Sequence, residues 1–242
     1  MKTVLVTGAS RGIGEDISRL FAKNGYNVVV NYFKSETKAQ KLASELCAYG
    51  VRAIAIKADV GDPVQARLLV KKSLEVFGSI DVLVNNAGIA LNKLLIDSTS
   101  NEIENVMLTN LLGTIYVTKE MLPSMITRSY GKIINIASMW GNYGGSMESV
   151  YSASKGGVIA FTKAIAKEVG LSGINVNCVC PGVIVTDMLN NLTIEDMQNL
   201  KNQTAIGRIG YPRDISSLVY FLASDDASYI TGSVINADGG II

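Results

Sequence analysis

Val4-Leu5-Val6-Thr7-Gly8-Ala9-Ser10-Arg11-Gly12-Ile13-Gly14 is the stretch on which the fold turns. An apolar, β-rich run passes into a glycine turn and then into a helical pattern that continues through Asn24. Strand, turn and helix in that order set a helix N-terminus, with its unpaired N–H groups, beyond the carboxyl end of a strand. That is where a pyrophosphate can be held. The spacing is G-x-x-x-G-x-G rather than the common G-x-G-x-x-G. The physical logic carries over: Gly8 permits the sharp turn, Gly12 lets the backbone approach a phosphate, and Gly14 lets helix and sheet pack closely. Without a ligand the same residues make only a tight turn, and the stretch alone leaves both readings open.

Outward from it, apolar runs and helical patterns alternate along the chain. Residues 28–32 read as a second strand, 36–49 as a helix, and 52–57 as a third strand leading to Asp59-Val60. Asp62-Pro63 starts a helix over 63–77. A fourth strand, 80–84, runs into Asn85-Asn86-Ala87-Gly88, and a long helical region, 101–128, precedes a fifth strand at 132–138. Then follow a helix from Ser152, a strand at 174–179 before Pro181-Gly182, a helix at 212–223 and a last strand at 233–236. Alternation at this spacing builds a parallel sheet with helices on both faces. The expected fold is α/β: a Rossmann-like, doubly wound, mostly parallel sheet of seven strands. No repeat, linker or composition break divides residues 1–242, so one dinucleotide-binding and catalytic domain is expected. Residues 188–203 are polar and irregular and read as a mobile substrate lid.

Bulk properties exclude several classes. The 242 residues carry 22 basic and 21 acidic side chains, a formal net charge of +1, with no basic block. Neither nucleic acid nor a membrane surface is expected as a partner. No apolar run approaches the roughly 18 residues of a membrane span. Met1-Lys2 leads straight into the first strand rather than a secretory signal, so a cytoplasmic location is expected. The chain has no histidine, which removes Ser-His-Asp triads, Cys-His pairs and most zinc hydrolase sites. Cys178-x-Cys180 is too short a loop for an ordinary disulfide and lies in an apolar strand pattern. With Cys47, these read as free thiols in a reducing compartment rather than metal ligands, and no metal is called for.

Ligands of such sheets bind beyond the carboxyl ends of the strands, and Gly8, Asp59, Asn86 and Ser138 all fall there. After Ser138, Tyr151-Ser152-Ala153-Ser154-Lys155 places a phenol and an ammonium on one helix face. A tyrosine hydroxyl normally titrates near ~10. A neighbouring cation favours the phenolate and brings the group nearer to acid–base work. The same spacing also describes ordinary surface neighbours. Asn110, inside Leu108-Thr109-Asn110-Leu111-Leu112, either needs buried partners or simply caps or kinks its helix. Ala153, Gly156, Gly157, Ala160 and Ala164 leave room for a partner helix or a cofactor.

The end of the second strand addresses cofactor choice. An NAD-binding sheet usually carries an acidic residue there for the ribose 2′-hydroxyl. Here the position is Asn31, followed by Tyr32-Phe33-Lys34-Ser35, with Arg11 in the glycine loop. No carboxylate repels a 2′-phosphate and two cations can bind it, which points to NADP(H); the alternative is that Lys34 and Arg11 are solvated surface charges.

Thr7-Gly8-x-x-x-Gly12-Ile13-Gly14, Asn85-Asn86-Ala87-Gly88, Asn110, Ser138, Tyr151-x-x-x-Lys155 and Pro181-Gly182 occur in order. With these motifs the chain resembles, from end to end, the short-chain dehydrogenase/reductase family, and closely its 3-oxoacyl-(acyl carrier protein) reductase branch. The resemblance implies hydride transfer from NADPH to a ketone carbon, with Tyr151 protonating the forming alkoxide. Ser138 would hold the carbonyl oxygen, Lys155 would bind the nicotinamide ribose and depress the Tyr151 pKa, and Asn110 would hold a water leading to solvent. Ser10, Arg11 and Ile13 would line the phosphates and Asp59-Val60 the adenine, with Ser35 among the cofactor-binding residues. Asn86, Ala87 and Gly88 would face the ribose, and Pro181-Gly182, Ile184 and Thr186 the carboxamide. A homotetramer is the assembly implied.

The substrate reading divides. Carrier-dependent relatives often carry arginines where this chain has Ser129 and Ser172, although Arg128 and Lys132 stand nearby. An acyl carrier protein therefore remains one expected partner. The stretch around Trp140 is also similar to a sister branch, the reductases of the 5-aminopentanone modification on elongation factor P. There Glu148 would pair with a substrate ammonium and Trp140 would form a substrate wall; otherwise they are a loop carboxylate and a packing residue. A non-catalytic NADP-binding sensor is the third reading.

Overall fold

Side chains alternate faces along a strand, so a run of apolar residues fits a strand covered on both sides. The computed structural model of the chain describes residues 1–186 and 194–241. Its first half runs β1 (Thr3–Val6), α1 (Gly12–Lys23), β2 (Asn27–Tyr32), α2 (Glu36–Cys47), β3 (Ala53–Lys57), α3 (Pro63–Phe77) and β4 (Val82–Asn85). The second half runs α4 (Ser100–Met107), α5 (Gly113–Arg128), β5 (Gly131–Ile136), α6 (Met139–Tyr143), α7 (Ser149–Val169), β6 (Ile174–Pro181), α8 (Ile194–Asn202), α9 (Pro212–Ala223) and β7 (Val234–Ala237). The strands form one seven-stranded sheet in the order β3-β2-β1-β4-β5-β6-β7, and every pairing is parallel. Strand order reverses between β1 and β4, which opens a crevice at their carboxyl ends.

Register explains the core. Val29, Leu5, Leu83, Ile133 and Val176 are paired successively across five strands. All are fully buried on one face against Leu69 of α3, Met121 and Met125 of α5 and Val169 of α7. Shifting one residue along gives Val4, Val6, Val28, Val30, Val82 and Val84 on the opposite face, against Phe21 of α1 and Val219 and Leu222 of α9. Each such side chain contributes about 1.5–3 kcal/mol on burial. The α3 start follows its sequence signal, with Asp62 Oδ1 accepting from Val64 N at 2.8 Å.

Three elements depart from the sequence expectations. The helical region expected at 101–128 is broken by one wide turn, Leu108–Leu112, with Asn110 inside it. Such π-type bulges recur at functional sites. A short helix, α6, precedes α7, and α7 starts at Ser149 rather than Ser152. Of the expected lid, residues 188–193 lie outside the described residues, and most of the rest is not irregular but helical at Ile194–Asn202. Among the described residues no helix is long and apolar enough to cross a membrane.

Candidate active site

The loops after β1 and β4 are stitched together. Thr7 Oγ1 accepts from Asn86 N at 2.9 Å and Ala87 N at 3.0 Å. Asn86 Nδ2 returns bonds to Thr7 O at 3.0 Å and Gly8 O at 3.1 Å. The loops touch so closely that a Cβ on Gly8, whose φ is +60°, would meet Ala87 Cα at 2.8 Å. A Cβ on Gly14 would lie 2.5 Å from Asn86 Nδ2. The glycine spacing thus serves a contact between two chain segments as well as the entry to α1.

Ser138 ends the segment after β5 and caps α6, its Oγ accepting from Trp140 N at 3.2 Å. Tyr151 and Lys155 stand one turn apart on α7, the ammonium 5.8 Å from the phenol ring centre. α7 lies close to its neighbours because it carries Gly156 and Gly157. A Cβ on Gly141 of α6 would touch the Lys155 backbone at 2.9 Å, and one on Gly157 would touch Leu111 at 2.8 Å. The sequence offered those small residues to a partner helix or cofactor; Gly156 and Gly157 are spent inside the chain.

The Ser138 hydroxyl lies near enough to the Tyr151 phenol to favour its ionised form. Lys155 Nζ donates to Ile136 O at 2.8 Å and is buried. Burial draws its ammonium from the usual 10.5 down to about 8, against a small opposing pull from the Cys178 and Cys180 thiols. Tyr151 behaves differently from expectation. Burial raises its pKa, the nearby Ser138 hydroxyl lowers it, and the Glu148 carboxylate raises it further. Desolvation of the phenol, not the Lys155 charge, is the largest influence. A protonated Tyr151 beside a hydrogen-bonding serine is fitted to donate a proton.

Asn110 is fully buried at the wide turn. Its Oδ1 accepts from Ile89 N at 2.8 Å, and its Nδ2 donates to Ile89 O at 3.0 Å and Ser154 Oγ at 3.0 Å. Of the two sequence alternatives, buried partnering holds, and it ties the loop after β4 to α7. A Cβ on Gly88 would approach Lys155 Nζ at 3.3 Å and Asn110 Oδ1 at 3.4 Å, which brings these three together.

Other expected site residues are placed unevenly. Ser10, Arg11, Ile13 and Gly12 surround the α1 start, with Thr186 next to Gly12. Arg11 is exposed after β1, and Phe33 and Lys34 are exposed just after β2. Asp59 Oδ1 accepts from Gly61 N at 2.9 Å, while Val60 is buried against Gly113. Asn31 is not brought to the cleft: its Oδ1 accepts from Gly8 N at 3.2 Å and its Nδ2 reaches Ile56 O and Ala58 O. It braces the glycine turn instead. Ile184 is likewise in the core, Pro181 is buried, and Gly182 packs against Asp238. Trp140 and Glu148 flank Gly145. Ser35 is half-buried before α2. Cys178 and Cys180 are buried free thiols.

A buried polar chain beneath the site went unassigned in the sequence. Asn85 Nδ2 donates to Thr118 Oγ1 at 2.9 Å and Asn135 Oδ1 at 2.8 Å, and Asn135 Nδ2 donates to Thr162 Oγ1 at 2.9 Å. Its signal was a lone asparagine inside the apolar run Ile133-Ile134-Asn135-Ile136.

The family profile of short chain dehydrogenase matches residues 2–196. The 3-oxoacyl-(acyl-carrier-protein) reductase FabG of Staphylococcus aureus is 43% identical over 240 residues, 99% of this chain and 98% of that protein. The 3-oxoacyl-(acyl-carrier-protein) reductase of Synechocystis is 42% identical over 242 residues, covering 100% and 97%. That of Haemophilus influenzae is 39% identical over 241 residues, covering 99% and 98%. With this sheet, this crevice and these relatives, the chain belongs to the short-chain dehydrogenase family, as an oxidoreductase acting on the CH–OH/C=O couple.

Proposed function

We propose that the protein is an NADPH-dependent reductase of a 3-oxoacyl thioester, of the kind named in its relatives, with Asn110, Ser138, Tyr151 and Lys155 as its working residues. The observation that carries the reading is buried Lys155 one turn from Tyr151, its ammonium 5.8 Å from the phenol ring, with Ser138 beside them at the carboxyl ends of the strands. The residues fit a nicotinamide dinucleotide. The Gly8 turn delivers the N-terminus of α1 to the crevice, and residues 31–35 contain no carboxylate to oppose a 2′-phosphate. Arg11 and Lys34 supply positive charge at that edge, which favours NADPH over NADH. When bound, NADPH supplies the hydride that adds to the ketone carbon. Ser138 donates a hydrogen bond to the ketone oxygen, and Tyr151 passes its hydroxyl proton to that oxygen as charge develops there. Lys155 stabilises the phenolate left behind. Asn110 fixes the Gly88–Ile89 backbone against Lys155 and Ser154. Exposed Ala153, Ala160 and Ala164 suit close packing by a second copy in a homotetramer.

The test is NADPH oxidation with acetoacetyl thioester on an acyl carrier protein and on a small carrier mimic, with NADH in parallel. Rapid turnover of the carrier-bound ketone with NADPH supports the reading; no turnover of either thioester removes it. Arg11→Ala should weaken NADPH far more than NADH, and equal loss removes the cofactor assignment.

One observation favours a second substrate, a ketone carrying an ammonium, such as the 5-aminopentanone group on elongation factor P. Glu148 Oε2 is buried without a hydrogen-bond partner among the described residues, while Oε1 only accepts a long bond from Asn92 at 3.4 Å. Burial raises the carboxyl pKa. A cation docking there would satisfy it. Glu148→Gln should then slow an amino ketone and leave a neutral ketone untouched.

A further inference from the structure

The amino ends of the strands hold a second buried lysine. Lys132 opens β5 and is paired in register with Asn175 of β6; it keeps only 3% of its surface exposed. The one hydrogen bond of its ammonium among the described residues goes to Asn175 Oδ1, at 2.7 Å, although an ammonium has three donors. The ammonium also sits 5.9 Å from the Tyr130 ring centre. The nearby carboxylate is already engaged: Asp225 pairs with Lys2 at 3.3 Å, and Lys2 also donates to Tyr130 Oη at 2.9 Å. Among the described residues Lys132 forms no ion pair, although the Asp225 carboxylate favours its charge from a distance.

It lines an open cavity of about 590 Å³, together with Tyr130, Asn175, Asp225, Ser228 and Thr231. That volume lies in the range of small-molecule sites, roughly 300–1,000 Å³. The Lys132 ammonium and the Ser228 and Thr231 hydroxyls can donate into it, beside the Asp225 carboxylate. Asn175 spends its amide on Ser228 O and Ile230 O. Thr231 Oγ1 accepts from Val176 N at 3.1 Å, which leaves its hydroxyl hydrogen to donate. Asp225 at the rim disfavours a doubly charged ligand. We propose that this cavity binds a small carboxylate anion, with Lys132 as its counter-ion and the Thr231 and Ser228 hydroxyls as further donors. Burial holds the Lys132 ammonium below its usual range, and a bound anion would relieve that strain on the charge.

Titration of the full-length protein with benzoate, followed by calorimetry and ligand-observed NMR, tests this. Benzamide serves as the neutral isostere and inorganic phosphate as the competing anion. Benzoate should bind, benzamide should not, and Lys132→Met should weaken benzoate by about tenfold or more, the loss of one charge-assisted contact. Lys155→Met, at the other end of the sheet, should leave benzoate binding unchanged. Binding that survives Lys132→Met, or that falls equally with Lys155→Met, overturns the proposal. So do absence of benzoate binding and tighter binding of phosphate than of benzoate. If Lys132→Met fails to fold, magnetisation transfer from wild-type protein decides: benzoate protons must contact the Tyr130 ring and the Thr231 methyl.

Discussion

Both ends of the sheet carry a tyrosine beside a buried lysine. At the carboxyl end Lys155 lies 5.8 Å from the Tyr151 ring; at the amino end Lys132 lies 5.9 Å from the Tyr130 ring. Burial pulls both ammonium groups down. What differs is what each hydroxyl meets. Tyr151 meets Ser138 in a crevice walled by two glycine-bearing loops, whereas Tyr130 accepts from Lys2 and makes a long contact of 3.5 Å to Asp225. A tyrosine–lysine pair is therefore not chemistry by itself. For the pair at Tyr151 to do chemistry, as proposed above, a crevice and a third polar group must converge on the phenol.

The sharpest way to break this comparison is to remove each hydroxyl. Tyr151→Phe should lower turnover by about 10²–10⁴-fold, the usual span of a general acid, with dinucleotide binding retained. Tyr130→Phe should leave turnover unchanged. Steady-state rates and a dinucleotide titration on both variants decide, and an active Tyr151→Phe enzyme would remove Tyr151 as the acid.

Next come the glycines of the two ends. Gly8→Ala drives a Cβ to 2.8 Å from backbone at positive φ, and should cost about 2–4 kcal/mol in chemical denaturation. Gly78, before β4 at the amino end, also has positive φ but open space around it. Gly78→Ala should cost only about 1–2 kcal/mol. Equal losses would mean that loop contact is not what Gly8 provides.

The lysines should then separate function from stability. Lys155→Met should abolish most turnover yet raise stability at neutral pH by on the order of 1–3 kcal/mol, since a buried ammonium is removed. Lys132→Met should stabilise by less and leave turnover intact. A thermal melt and one assay per variant suffice, and a destabilised Lys155→Met would show that its bond to Ile136 O outweighs desolvation.

The smallest effect is the pH response. Lys155 titrates near 8 when folded against the usual 10.5. Below about 8 it is charged in both folded and unfolded chains, and its burial penalty is fully present. Between about 8 and 10.5 the unfolded chain binds a proton that the folded chain has released, so stability relative to neutral pH rises. Turnover should fall over the same window as the cation is lost. Lys155→Arg should flatten both slopes in paired melts and pH–rate profiles.

Much of this was legible in the residues. β1, β2, β4 and β5 are apolar runs whose period and spacing admit little besides a parallel sheet, and the spacing of Tyr151 and Lys155 put them on one helix face, where the structure has them. What stayed hidden depends on distant partners. Nothing near Asn110 in the chain foretells its bonds to Ile89 and Ser154, and Asn31 looked like a ligand contact because its clients, Gly8, Ile56 and Ala58, are remote. The rise of the Tyr151 pKa follows from burial, which spacing cannot report.

The stitch between the two crevice loops has a consequence for synthesis on the ribosome. Thr7 receives Asn86 from 79 positions along the chain, and β1 gains β4 as its second neighbour only then. A nascent chain halted before Val82 holds β1 beside β2 with its other edge open. On such a chain the glycine turn has no partner loop, and the crevice cannot yet exist. Its assembly is thus timed by the emergence of residues 82–88 from the exit tunnel, and slower elongation there would lengthen the interval in which the β1 edge can pair wrongly.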